Sequence, residues 1–188
     1  MKYSSLAEQA GIVPHAVEIV PYDTNWPARA GEIAATLFSV LQDNLLGVEH
    51  IGSTSIPGMA AKPVIDLIPI VHDIKTLDSQ KKLITGLGYQ WHGEFGIAGR
   101  RFCAFTNTEG KRIIHLHFFQ KDAANIRRHL AFRDFMRAHP AIAKAYEQEK
   151  KRAAALHPND SLAYNEEKGA WVQQYEKEAL AWYQAKGE

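Results

Sequence analysis

Apolar residues recur along this chain with two different periods, and the element type changes where the period changes. Val17 and Val20 frame a short strand candidate over 17–21. Thr24 or Asn25 then offers a helix cap and Pro27 suits a first turn. Ile33, Leu37, Val40 and Leu41 follow at helical spacing, and the helix is predicted to end near 46–47, where Gly47 supports a left-handed residue. Residues 49–51 close a short β run, 52–62 form a loop of small residues, and 63–71 is apolar and β-branched with one charge, Asp66. A helix is predicted over 73–87, stopped by Gly88, then strands over 89–92, 100–106 and 112–119. The turn residues Asn107-Thr108-Glu109-Gly110 make the last two a hairpin. Beyond 121 the period is helical throughout. Asp122 caps a helix to about His139, with Ile126, Leu130, Phe135 and Met136 inward. A second runs from Pro140 to about Leu156. Asp160 or Ser161 caps a long last helix with Val172, Tyr175, Ala179, Trp182 and Tyr183 inward. Gly169 interrupts it at about 1 kcal/mol against Ala, which predicts a close packing contact there. The first 16 residues read as a weakly packed leader. The pattern is α+β: a core of strands and helices over 17–120 and a helical C-terminal portion over 121–186 packed on it.

Composition narrows the function classes. Among 188 residues there is one cysteine, Cys103, so no internal disulfide or cysteine zinc cluster is available, which fits a reducing cytoplasm. Cys103 itself sits between apolar neighbours, as a core residue would. The formal net charge of +1 gives no bulk electrostatic case for nucleic acid. No 18-residue apolar run suits a membrane span, and the first residues are too polar for a signal peptide. Arg100-Arg101, Arg127-Arg128 and Lys150-Lys151-Arg152 are local basic clusters that could serve phosphates, the last reading as a solvated helix face. There is no Gly-x-Ser-x-Gly elbow, no Walker A motif and no Rossmann glycine spacing.

The candidate chemistry gathers around the loop 52–62. Gly52, Ser53, Thr54 and Ser55 allow close backbone approach to an anion and add hydroxyl donors. Lys62 closes the loop, held extended by Pro63. Asp66, isolated in an apolar strand, is expensive unless paired, hydrogen-bonded or holding a metal. His115 and His117 are two apart in a strand and so share a face. If that strand lies beside 63–71, they converge with Asp66, and His50 could be a fourth member. Two imidazoles and a carboxylate suit a transition metal such as zinc, or a phosphate site in which histidine donates. Of Arg100 and Arg101 only one can face the pocket, and Arg101 is placed there as a phosphate contact. Tyr164 and Lys168 share a helix face, with Lys168 reaching toward a phosphate.

These residues also stand in a familiar order. V-x-I-V-x-Y-D-x-x-W-P, H-I-G-S-T-S-I-P-G-M-A-A-K-P-V-I-D, H-L-H, L-x-F-R-D-F-x-R-x-H-P and Y-x-x-x-K-G together resemble the GrpB family, over about 17–183. That family is similar to the nucleotidyltransferase superfamily and occurs alone or fused to dephospho-CoA kinase. The resemblance implies a small mixed sheet flanked by helices. It also implies a Gly-Ser turn holding a nucleotide triphosphate, and carboxylates holding Mg²⁺ for nucleotidyl or adenylyl transfer. Gly52-Ser53 matches the turn and Asp66 the first carboxylate, whereas Ile68 stands at the second and His115 or His117 at the third. On this reading Asp66 holds a metal and His115 or His117 is general base or metal ligand. The alternatives are a non-catalytic nucleotide-sensing or protein-interaction module, and a His/Asp transition-metal protein.

Overall fold

The computed structural model describes residues 13–187. The expected leader lies outside the described residues over 1–12. At 13–17 the chain is tied down, with Ser161 N–H donating to His15 O (3.1 Å) and Val17 N–H to Pro158 O (2.8 Å). Of the strand expected over 17–21, only a bridge between Val20 and Ala61 forms.

The first helix, α1 (Trp26–Leu41), follows Asn25, which caps by position without a side-chain bond. Gln42 takes φ +47 and ends it earlier than the pattern predicts. After one 3₁₀ turn, β1 (Leu45–Ile51) begins. Buried Asn44 fixes that boundary, accepting from Asp73 N–H at 3.1 Å and donating to Gln80 Oε1 at 3.0 Å. Then come β2 (Ile65–Val71), α2 (Ile74–Ser79) and α3 (Lys81–Gly86). The single helix expected over 73–87 is therefore two, broken at Gln80, and both halves reach the core through Leu77 and Ile84. β3 (Gln90–Trp91), β4 (Arg101–Thr106) and β5 (Arg112–Gln120) complete the sheet, and α4 (Ala124–Ala138), α5 (Pro140–Leu156), α6 (Ser161–Glu167) and α7 (Gly169–Ala185) follow. Asp160 caps α6 through Leu162 and Ala163 N–H, as expected. Asp122 does not cap α4: it takes φ +67, and Ala123 occupies the cap position. A Cβ at Gly169 would meet nothing within 4 Å, so that glycine marks the boundary between α6 and α7 and not a close contact.

The sheet has the order β1-β2-β5-β4-β3. β2 and β5 are parallel and the other neighbours antiparallel. On one face Leu67, Leu116 and Phe118 pack with Leu37, Leu41, Leu77 and Ile84, so α1, α2 and α3 cover it. Cys103 is in that core, where burial pushes its thiol up to about 12. On the other face Ile51, Ile68 and Phe119 meet Ile126 of α4. A further core joins Ile56 and Met59 of the loop 52–62 to Phe135, Met136, Tyr146 and Ala179 of the helical portion.

Candidate functional site

The parallel register sets Asp66 directly beside His115, and His117 follows on the same face. Asp66 Oδ1 lies 2.9 Å from His115 Nδ1 and 3.6 Å from His117 Nε2. Arg100 Nη1 lies 3.3 Å behind, against His117 Nδ1. A guanidinium only donates, so that nitrogen accepts and Nε2 carries the ring proton toward Asp66. Arg100 is itself buried and also donates to Glu94 O and Phe95 O. Burial opposes ionisation of Asp66, but His115, hydrogen-bonded to it, and His117 close by outweigh it and hold the carboxyl below its usual range. Burial lowers the pKa of His117, against the pull of Asp66. His115 Nε2 is buried and has no partner among the described residues.

The turn before β2 is shaped by Gly52, at φ +70, where a Cβ would come within 2.6 Å of Asp66 Oδ2. Ser53–Ser55 then makes one 3₁₀ turn. Ser55 Oγ donates to Gly52 O at 2.6 Å, and Thr54 Oγ1 to Val64 O at 3.1 Å. With its proton so used, Thr54 accepts from His50 Nε2, 3.0 Å away. His50 pairs with Leu67 and so lies on the opposite sheet face from Asp66, with its pKa lowered to about 4 by burial. Arg137 of α4 donates twice to Ser55 O (2.7 and 3.1 Å), and α5 holds Ala60 from both sides. Glu147 Oε2 accepts from Ala60 N–H at 3.1 Å, and Lys150 Nζ donates to Ala60 O at 2.6 Å.

Between this turn and the helical portion lies a cavity of about 260 Å³. Gly52, Ser53, Asp66 and His115 line it. Tyr146, Lys150, Tyr164 and Lys168 of the helical portion line it too, as does Lys62 at the end of the turn. Lys62 Nζ sits 4.8 Å over the Tyr164 ring and Lys168 Nζ 5.3 Å from it. Burial lowers the Lys62 pKa to about 8 and that of Lys150 to about 7, and the neighbouring Lys168 adds to both shifts. Burial works against the charge of Lys168 too, but Tyr146, Tyr164 and Asp66 outweigh it and raise its pKa. Among the described residues, no carboxylate comes within 4 Å of these three ammonium groups.

Of the expected site residues, Asp66, His115 and His117 converge, and Gly52, Ser53, Thr54, Lys62 and Lys168 line the cavity. Three expectations are corrected. His50 is across the sheet. The Ser55 hydroxyl is consumed within the turn. Arg101, in register with Phe118, faces away from Asp66 and binds Asp78 at 2.6 and 2.7 Å, so Arg100 is the arginine at His117. Lys150, read from sequence as solvated, is 1% exposed. Its spacing from Tyr146 and Ala153, at i, i+4 and i+7, was the available signal.

A small mixed sheet with a Gly-Ser turn leading into an aspartate-bearing strand, flanked by helices, is the nucleotidyltransferase-like class of fold. Its similarity to the Cid1 poly(U) polymerase in a MgGTP-bound structure has a TM-score of 0.51 at 14% identity, covering 81% of this chain and 47% of that one. The chain belongs to the GrpB family, whose model, described as GrpB protein, matches residues 16–178. A crystal structure of conserved protein GrpB from Enterococcus faecalis superposes with a TM-score of 0.83 at 41% identity, covering 88% of this chain and 99% of that one. The UPF0157 protein YqkA of Bacillus subtilis (strain 168) is 43% identical over 143 residues, 76% of this chain, which spans 41% of that protein's length. A dephospho-CoA kinase of Mycolicibacterium paratuberculosis is 37% identical over 76 residues, 39% of this chain and 19% of that protein. No helix among the described residues is long and apolar enough to cross a membrane.

The paired Mg²⁺ ions that the resemblance to nucleotidyltransferases implies do not fit the donors present. A hard dication asks for oxygens in near-octahedral array, and Ile68, at the second carboxylate position, is 0% exposed in the core. Asp66, His115 and His117 could share a softer ion, since one donor atom from each lies within 4.8 Å of the others. A metal-bound imidazole, however, normally donates its other N–H to an acceptor. Here His117 Nδ1 faces the donor Arg100, and His115 Nε2 has no hydrogen-bond partner among the described residues.

Proposed function

We propose that this protein binds a phosphorylated small molecule, a nucleotide or its polyphosphate, in the cavity between the turn 52–62 and the helical portion. One observation carries the reading: Lys62, Lys150 and Lys168 line a single cavity with no ion-paired carboxylate among the described residues. Desolvated like charges destabilise a fold unless an anion joins them. The one carboxylate of the cavity, Asp66, already accepts from His115 at 2.9 Å and has His117 Nε2 3.6 Å away. Ser53 and the backbone at Gly52 add donors to the same cavity. A volume of about 260 Å³ lies below the range that encloses a whole drug-sized ligand. The phosphates are therefore the enclosed part, and the remainder of the molecule projects outward. A binding module is favoured over nucleotidyl transfer because buried Ile68 leaves Asp66 as the lone carboxylate of the strand.

Titration of the full chain with ATP and with pyrophosphate, followed by thermal melting, tests this. A ligand at a hundred times its Kd stabilises by about 2.7 kcal/mol, a shift of several degrees. Lys150→Met and Lys168→Gln should each weaken binding about tenfold or more, while Lys82→Gln, on the exposed side of α3, should not. No shift with either ligand, or lysine variants that bind like the native chain, refutes the reading.

A further inference from the structure

We infer that the cavity takes its polyphosphate free of divalent metal, so that Mg²⁺ opposes binding instead of assisting it. This rests on the phosphate reading above and fixes which form of the ligand is recognised.

Any protein that holds a polyphosphate must neutralise its charge. A metal-dependent site does so with cations held by carboxylates. In this chain the cations are covalent. Lys62, Lys150 and Lys168 reach the cavity from the turn 52–62, from α5 and from the junction of α6 and α7. At Asp66 Oδ1 a metal would compete with hydrogen bonding from His115. His115 Nδ1 stands 2.9 Å from Oδ1, and His117 Nε2, its proton directed by Arg100, stands 3.6 Å from the same oxygen. A dication shared by this oxygen and both rings must displace both imidazole protons. It would then leave one ring N–H against a guanidinium and the other buried with no acceptor among the described residues. The neighbouring strand position offers only the side chain of Ile68.

The sign of the metal effect follows. Mg²⁺ bound to a polyphosphate cancels part of the charge that the three ammonium groups would neutralise, and it occupies oxygens they would bond. The metal complex is then the poorer ligand. At a site that holds its own metal ligands for the phosphates, the complex is the better one. Asp66 also changes sign between the two designs. As a metal ligand it aids binding; as a carboxylate facing three lysines across a small cavity it repels the anion.

Calorimetric titration of the full chain with pyrophosphate, once in EDTA and once in excess Mg²⁺, separates the cases. Binding in EDTA that weakens about tenfold in Mg²⁺ is expected. Binding that is unchanged, tighter or present only with Mg²⁺ overturns the inference and leaves the phosphate reading standing. Absence of binding under both conditions overturns both. Asp66→Asn, checked for a native circular dichroism spectrum, should tighten pyrophosphate binding in EDTA; a weaker complex from a folded variant overturns the inference. So does Zn²⁺ or Co²⁺ retained at one equivalent after desalting and released by His117→Ala.

Discussion

Lys150 shows how much one side chain can conceal. Its ammonium donates to Ala60 O and lies near Lys62 and Lys168 in the cavity, with Glu147 and Lys151 on its own helix. Burial and the charge of Lys168 lower its pKa from 10.5 to about 7. The unfolded chain therefore binds more protons than the folded one between those values, and stability rises with pH across that window. Lys62, lowered to about 8, contributes in the same direction over a narrower range. Urea denaturation of the native chain should give a stability that climbs from pH 7 to about 10, with a slope that Lys150→Met makes visibly shallower. Equal slopes would show that Lys150 is solvated after all. Three adjacent charges read as a solvated run, and only the spacing of Lys150 from the buried Tyr146 and Ala153 marks it as the one that turns inward. The convergence of Asp66, His115 and His117 was legible, because a period of two puts both histidines on one face. The pattern says only that one of Arg100 and Arg101 faces the site. The register of Arg101 with Phe118 decides it.

The turn 52–62 is the element on which the site depends, and its two left-handed glycines are not equivalent. Gly52 has φ +70, and a Cβ there would lie 2.6 Å from Asp66 Oδ2; Gly58 has φ +78, and a Cβ there would meet nothing within 4 Å. Gly58→Ala should cost only the backbone strain of a left-handed residue, about 1–2 kcal/mol. Gly52→Ala adds a collision with the carboxylate, so it should cost about 3 kcal/mol or more and move Asp66 away from His115. Denaturant unfolding of the two variants checks the difference, and equal losses would mean that the turn yields freely at Gly52. The small-residue composition made this turn visible in the sequence. The boundaries around it were less so. β1 starts at Leu45 because Gln42 leaves the helical region and Asn44 is tied to Asp73 and Gln80, a link between segments about 30 residues apart. The break between α2 and α3 falls at the same Gln80, so neither boundary carries a signal in local periodicity.

At the scale of the molecule, the helical portion acts as a clamp on the turn. Arg137 binds Ser55 O, Glu147 and Lys150 bind the two ends of Ala60, and Ile56 and Met59 pack among Phe135, Met136 and Tyr146. The sequence predicts helices packed on the sheet, but the partners of the clamp lie 80 to 90 positions apart. No periodic pattern reports such a pairing. If the clamp sets the shape of the cavity, ligand affinity should depend on which core is damaged and not only on how much stability is lost. Ile56 and Leu37 are both buried, Ile56 beneath the turn and Leu37 under the far face of the sheet. Truncating either to Ala removes a comparable volume and should cost about 2–4 kcal/mol. With both variants held well below their melting temperatures, Leu37→Ala should bind pyrophosphate like the native chain. Ile56→Ala should bind about tenfold more weakly, because the turn it anchors carries Ser53 and Lys62 into the cavity. If the two variants bind equally, the turn holds its shape without the helices, and the clamp serves stability alone.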